Sequence, residues 1–265
     1  MEENDLTIKK IEYSRITKSI PLNTKFNIRK LNFDMINPSS FNFTSQEKKS
    51  LGGDKIVIIG KPGSGKSILI KDILFNKKHI IPVPLIISET EELNYTYSKI
   101  IPSNFIYKKY NENILRDFLN RQIVAKQKLI NPWTCLILDD CFGEPKHFTK
   151  PMQQFLFKNL RHYCTLYIVA LQYALDIKPT IRVNIDGVFI FKEPNITMRK
   201  KIYDNFASII PDFHLFCKIL ENVTEDHSCL FIKNNISSNN WQDSIFWYKA
   251  ETHKEWKFGA NEIWK

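Results

Sequence analysis

Apolar residues fall along the chain in short runs that alternate with longer segments of helical spacing. Residues 55–59 (Lys-Ile-Val-Ile-Ile) form the first such run, bounded by Gly52-Gly53-Asp54 and by Gly60, which predicts a strand buried on both faces. Residues 66–75 carry Ile68, Leu69, Ile73 and Leu74 at helical spacing, as a helix packed on a sheet requires. Further strands are predicted at 85–88, 105–107, 134–140, 166–171 and 187–191. Between them, 111–129 reads as a long helix with Leu115, Phe118, Leu119 and Ile123 on one face, stopped by Pro132, and 151–160 as a shorter one. Helices at 196–206 and 213–220 precede strands at 229–233 and 245–248, a C-terminal β-hairpin around the polar stretch 234–242. Strands alternating with helices predict an α/β domain with a mainly parallel central sheet flanked by helices, its ligand site at the carboxyl ends of the strands. Residues 1–50 lack a period, although 26–43 holds strand-like pieces. They are expected to form an N-terminal extension packing on the core, ahead of a domain over 51–250 and a tail over 251–265.

The segment between the first strand and the first helix carries the chemistry. Gly60-Lys61-Pro62-Gly63-Ser64-Gly65-Lys66-Ser67 fits the phosphate-binding pattern Gly, four residues, Gly-Lys-Ser/Thr (Walker A), in the strand, loop, helix setting that gives the pattern meaning. Three of the chain's eight glycines stand here, where they let backbone N–H groups close around phosphate oxygens, and the helix start adds its own free N–H groups. The pattern makes residues 60–68, from Gly60 to Ile68, candidate contacts for a nucleoside triphosphate such as ATP, with Lys66 on the β- and γ-phosphates and Ser67 on Mg²⁺.

The predicted strand 134–140 ends in Asp139-Asp140, matching a Walker B strand. An acidic strand end is what the metal side of such a site needs: Asp139 would hold the Mg²⁺ shell and Asp140 would orient and deprotonate an attacking water, against the plainer reading of two surface acids. Gln172, at the end of the strand 166–171, is a candidate γ-phosphate sensor and equally an ordinary hydrogen-bonding glutamine. Arg161 and Arg182 are candidates for a cation that reaches a phosphate across a subunit boundary, or for surface ion pairs. The acidic turn Glu89-Thr90-Glu91-Glu92 falls at the carboxyl edge of the second strand, as a ligand site or a solvated turn.

Composition adds less. Lys and Arg number 38 against 28 Asp and Glu, a net charge of +10, which admits a polyanionic partner and fits a solvated lysine-rich surface as well. Five cysteines without a Cys-x-x-Cys pair are expected to be buried thiols. The apolar runs are strand-length, so no membrane span is expected, and the acidic opening Met1-Glu2-Glu3-Asn4-Asp5 is unlike a secretory leader, so an intracellular protein is expected.

Taken in order, the phosphate loop, the strand ending in Asp139-Asp140, Arg161-His162 leading to a strand that ends in Gln172, and Pro179-x-x-Arg182 resemble the genome-packaging ATPases of large double-stranded DNA viruses, within the FtsK-HerA superfamily of P-loop NTPases (RecA/ASCE-like). Ser88-Glu89-Thr90-Glu91 and the stretch 101–107 are similar to that family as well. The resemblance spans about residues 25–250. It implies an ATP-driven, Mg²⁺-dependent motor that assembles as a homo-oligomeric ring, a pentamer or hexamer, and moves double-stranded DNA into a capsid. It further implies capsid or portal-like vertex partners, a place at the viral assembly site in the host cytoplasm or in the virion, Gln172 as sensor, and an arginine acting in trans. Arg161 matches that position best and Arg182 second. Asp140 departs from the Glu usual in cellular relatives, which shortens its reach to water. A nucleotide-dependent assembly switch and a nucleic-acid-end kinase are the alternatives left open by the motifs alone.

Overall fold

The structure is a computed structural model and describes residues 26–39, 52–141, 150–173 and 177–265. Among these, nine strands form one sheet: β1 (Arg29–Lys30), β2 (Lys55–Ile59), β3 (Val83–Ser88), β4 (Ile106–Tyr107), β5 (Thr134–Asp139), β6 (Thr165–Leu171), β7 (Gly187–Ile190), β8 (Ser228–Lys233) and β9 (Ile245–Lys249). Their order is β1-β9-β8-β7-β2-β6-β5-β3-β4. From β7 to β4 every neighbouring pair is parallel, so these carboxyl ends share one edge. β8 runs antiparallel to both β7 and β9. The hairpin expected near the C-terminus is therefore present and continues the central sheet, and β1 pairs parallel to its outer strand.

Helices cover both faces: α1 (Lys66–Lys77), α2 (Glu91–Asn94), α3 (Glu112–Lys128), α4 (Pro151–Asn159), α5 (Pro179–Arg182), α6 (Ile196–Ile202) and α7 (Phe213–Val223). Residues alternate between faces with the period of two that strands impose. Val57, Ile59, Leu136, Leu138, Val169 and Leu171 pack under α3, α4 and α7, whereas Ile56, Ile58, Cys135, Ile137 and Ile168 pack under α1. All five cysteines are buried thiols. No helix among the described residues is long and apolar enough to cross a membrane.

Helix faces differ from the predicted ones in two places. On α1 the buried stripe is Leu69, Ile70, Ile73 and Leu74, while Ile68 is 39% exposed. On α3, Ile123 is exposed and Gln122 takes its place inside, because the Gln122 amide donates to the carbonyls of Pro132 and Tyr163 at 2.9 and 3.0 Å. A polar side chain with both partners supplied is cheap to bury there. β3 begins at Val83 rather than at 85 and takes in Pro84, which lies on the part of β3 that β4 does not cover, where a strand tolerates a residue lacking an N–H.

The segments at either end of the described chain close on α1. Lys77 is buried and donates to the carbonyls of Phe33 and Ile36 at 2.7 Å each, and burial pulls its amine down to about 8. Asp72, 1% exposed, gathers the Tyr248 hydroxyl at 2.8 Å, the Glu251 amide at 2.8 Å and His253 Nε2 at 2.7 Å. Beyond it, the Phe258 amide bonds Ile100 O and the Ala260 amide bonds Pro82 O. The helix that starts at the phosphate loop is thus clamped from both sides.

Candidate nucleotide-binding site

The loop 60–67 leaves the centre of the sheet. The peptide that opens it is held by both neighbouring strands: the Gly60 amide donates to Leu171 O on the β6 side, and the Phe191 amide donates to Ile59 O, at the end of β2, on the β7 side. A Cβ on Gly60 would fall 2.4 Å from Ser64 Oγ and 3.0 Å from the Phe191 side chain, so only glycine fits. Gly65 precedes α1 with φ 109°, in the left-handed region that glycine enters freely. The first-turn N–H groups of α1, including that of Ile68, have no carbonyl one turn earlier in the helix to bond. Lys66 is 5% exposed and donates to Gly60 O at 2.7 Å and Lys61 O at 3.3 Å, its amine lying across the loop.

β6 separates β2 from β5, so the loop strand and the acidic strand stand about 10 Å apart at two strand spacings. Register places Asp139 opposite Ala170, and Ala170 opposite Ile58. The first turn of α1 spans the gap: Ser67 Oγ donates to Asp139 Oδ2 at 3.4 Å. Asp140 leaves the strand with φ 52°, which turns it back toward the loop, its Oδ1 4.0 Å from Lys66 Nζ. Burial pushes the Asp139 carboxyl above its ordinary range and the charge of Asp140 adds to this, while hydrogen bonds from Tyr97 and Ser67 and the charge of Lys66 hold it down.

Three buried atoms here, Ser64 Oγ, Asp139 Oδ1 and Asp140 Oδ1, make no hydrogen bond. Buried carboxylate oxygens are normally satisfied, so these two have hydrogen-bonding or ligating capacity to spare beside the loop. Hard oxygen donors from one serine and one or two carboxylates, facing a phosphate-binding loop, are the set that suits Mg²⁺ carried by a nucleotide. The donor set therefore fits the metal expected from the motifs.

Gln172 follows β6 directly and is exposed beside Gly60, at the same sheet edge as Asp139. Both arginines stand elsewhere. Arg161 precedes β6 in a 3-10 turn and Arg182 precedes β7 in α5, so each lies at the amino edge of a parallel strand. For Arg161 that is about 20 Å from the loop along the seven residues of β6. Arg161 is exposed, and Arg182 donates to Asp204 O and Asn205 Oδ1, both at 3.1 Å. Within one chain neither reaches the loop. The Ile68 side chain also points away, into a separate cavity shared with Lys71, Lys99, His253 and Trp256.

On the β7 and β8 side of the loop a cavity of about 390 Å³ is lined by Lys61, Pro62, Phe191, Pro194, Thr224 and His227. His227 Nδ1 lies 3.4 Å from Ser64 O, and Lys61 is paired with Glu193 at 3.0 Å. Phe191, Pro194, Thr224 and His227 carry no motif in sequence, since they come from two loops distant from 60–67. The acidic turn 89–92 divides in role: Glu92 pairs with Lys108 in solvent, whereas Glu91 is buried and accepts the amides of Tyr97 and Ser98.

No protein-family model matches the chain. The uncharacterised protein 088R of Invertebrate iridescent virus 3 is 49% identical over 243 residues, 90% of this chain and 92% of that protein. The uncharacterised protein 015R of Frog virus 3 is 43% identical over 219 residues, 81% of this chain and 68% of its own length. In Acanthamoeba polyphaga mimivirus the uncharacterised protein L437 is 36% identical over 219 residues, covering 78% and 76%. Among solved structures, the genome packaging NTPase B204 of Sulfolobus turreted icosahedral virus 2, in complex with AMPPCP, superposes over 75% of this chain and 98% of its own with a TM-score of 0.54 at 19% identity. The DNA-packaging ATPase B204 of Sulfolobus Turreted Icosahedral Virus gives 0.53 at 20% identity, with 75% and 98% covered. The fold is the P-loop NTPase fold of these viral proteins.

Proposed function

The chain belongs to the family of large-DNA-virus proteins that includes 088R, 015R and L437, and on that premise we propose that it is an ATP-hydrolysing motor that packages viral double-stranded DNA into the capsid. The observation that carries this reading is that Lys66, Ser67, Asp139, Asp140 and Gln172 stand at one sheet edge, with two buried carboxylate oxygens that make no hydrogen bond. The likeness to packaging NTPases supports the choice of work to which hydrolysis is coupled.

Each residue has a task in this reading. The loop amides of 60–65 and the first turn of α1 enclose the phosphates, and Lys66 neutralises charge on the β- and γ-phosphates. Ser67 and Asp139 would hold Mg²⁺, which would supply positive charge against the charge that develops during transfer. Asp140 orients the attacking water and accepts its proton, and Gln172 registers the γ-phosphate. The cavity beside Phe191 and His227 accommodates the nucleoside. Because Arg161 and Arg182 stand at the far edge of the sheet, either would serve another copy, in a pentameric or hexameric ring. Double-stranded DNA and capsid or vertex proteins are the partners, met in the host cytoplasm or the assembling virion.

Phosphate release measured with and without double-stranded DNA tests this. The wild type is expected to turn over ATP faster with DNA, and Lys66→Ala to lose turnover. Nucleotide binding without turnover would leave an assembly switch, and transfer of the γ-phosphoryl group to a 5′-hydroxyl would leave a kinase.

A further inference from the structure

A hydrogen bond that belongs to none of the motifs leads from the acidic turn to the metal side of the site. Tyr97 is fully buried among the apolar residues under α1, with Ile70, Ile73 and Ile101. Its hydroxyl donates to Asp139 Oδ2 at 2.7 Å, shorter than the 3.4 Å contact from Ser67 to the same oxygen. The other oxygen, Oδ1, makes no hydrogen bond. The tyrosine is itself fixed. Glu91, 4% exposed, accepts the Tyr97 amide through both carboxylate oxygens at 3.0 Å and the Ser98 amide at 2.8 Å. The Tyr97 carbonyl accepts the amides of Ile100 and Ile101 at 2.9 Å. With backbone and ring immobilised, the phenol has one orientation available, and so has the carboxylate it holds.

We propose that Tyr97 is a positioning residue: it holds Asp139 by Oδ2, so that Oδ1 is kept free for the divalent cation of a bound nucleotide, and Glu91 anchors Tyr97 for that task. This rests on the nucleotide-binding reading above. A phenol ordinarily keeps its proton at neutral pH, so the hydroxyl acts as a donor to Asp139. Partners of this kind, which orient a ligand without touching the metal, change metal affinity or activity by about 10- to 100-fold when removed.

The test uses the full chain and Mn²⁺ as a paramagnetic probe. Bound Mn²⁺ is measured by electron paramagnetic resonance in the presence of a non-hydrolysable ATP analogue, and the analogue's own affinity is measured in EDTA. Tyr97→Phe keeps the buried ring and is expected to weaken Mn²⁺ binding at least 10-fold while leaving metal-free nucleotide affinity within twofold. Glu91→Ala, which keeps the phenol but removes the anchor of the Tyr97 backbone, is expected to weaken Mn²⁺ binding in the same direction. Equal Mn²⁺ affinity in the wild type and in folded Tyr97→Phe would overturn the role, as would a parallel fall in metal-free nucleotide affinity, the mark of a merely structural defect. If the wild type itself binds neither analogue nor Mn²⁺, the nucleotide reading falls, and this inference with it.

Discussion

Replacing Asp72 by leucine should unfold the protein at a markedly lower temperature, and the size of the effect follows from what the carboxylate holds. Its oxygens accept the Tyr248 hydroxyl, the Glu251 amide, His253 Nε2 and, at 3.1 Å, the Asn76 amide. Leucine keeps the branched shape but leaves the Tyr248 hydroxyl, on a residue only 6% exposed, and the Glu251 N–H without an acceptor. An orphaned buried hydroxyl such as that of Tyr248 costs about 1–3 kcal/mol and the N–H of the exposed Glu251 less, so the loss should be roughly 3 kcal/mol. For a domain of this size each kcal/mol lowers the melting temperature by about 2–4 °C, which gives a fall of roughly 10 °C by scanning calorimetry. A double variant decides the mechanism. Adding Tyr248→Phe to Asp72→Leu removes one orphan, so the pair should be less destabilised than the sum of the two single changes. A melting temperature for Asp72→Leu within about 2 °C of the wild type, or full additivity in the double variant, would refute the reasoning.

Asp140→Asn should leave binding of an ATP analogue intact while stopping phosphate release; loss of binding instead would assign Asp140 to the metal shell. Lys77 has a folded value of about 8 against an ordinary 10.5, so between these the unfolded chain holds the extra proton. Stability relative to Lys77→Met should therefore rise as pH goes from about 8 to 10.5, by on the order of 3 kcal/mol in all, and equilibrium urea unfolding of both proteins across that window checks the sign. If DNA is held through its phosphates, affinity measured by fluorescence anisotropy should fall steeply between 50 and 200 mM salt, by about 10³-fold or more for a full set of contacts; a flat response argues against a basic DNA track.

What was legible in sequence was local. The loop at 60–67 and the acidic end of β5 are each written in consecutive residues, and the apolar runs of the inner strands are long enough to separate from the helices. Ile123 and Gln122 exchanged places because the carbonyls that satisfy Gln122 arrive from residues 132 and 163, and no periodicity carries that information. Ile68 looked like a core position by spacing, yet the apolar stripe of α1 is set by its approach to the sheet and turns one residue along. Tyr97 had no signal at all: Asn-Tyr-Thr-Tyr-Ser gives no pattern, and its partner lies 42 residues away. Within the acidic turn, the two expected readings were a ligand site and a solvated turn, and the turn holds both a solvated pair at Glu92 and a structural carboxylate at Glu91.

The position of β2 in the sheet also has a meaning in time. This strand is finished at Ile59, but the strands on either side of it finish at Leu171 and Ile190. A chain emerging from the ribosome therefore carries Ile56 to Ile59 as an unpaired apolar ribbon while most of the domain is still being made. Such non-local pairings form slowly and leave sticky intermediates. The turn at Gly60 needs Leu171 O, and the Phe191 amide needs Ile59 O, so the pocket for phosphate takes shape only once both late strands have arrived. Nucleotide can stabilise the finished domain by mass action, yet it can offer nothing to a chain whose β6 and β7 have not yet paired with β2.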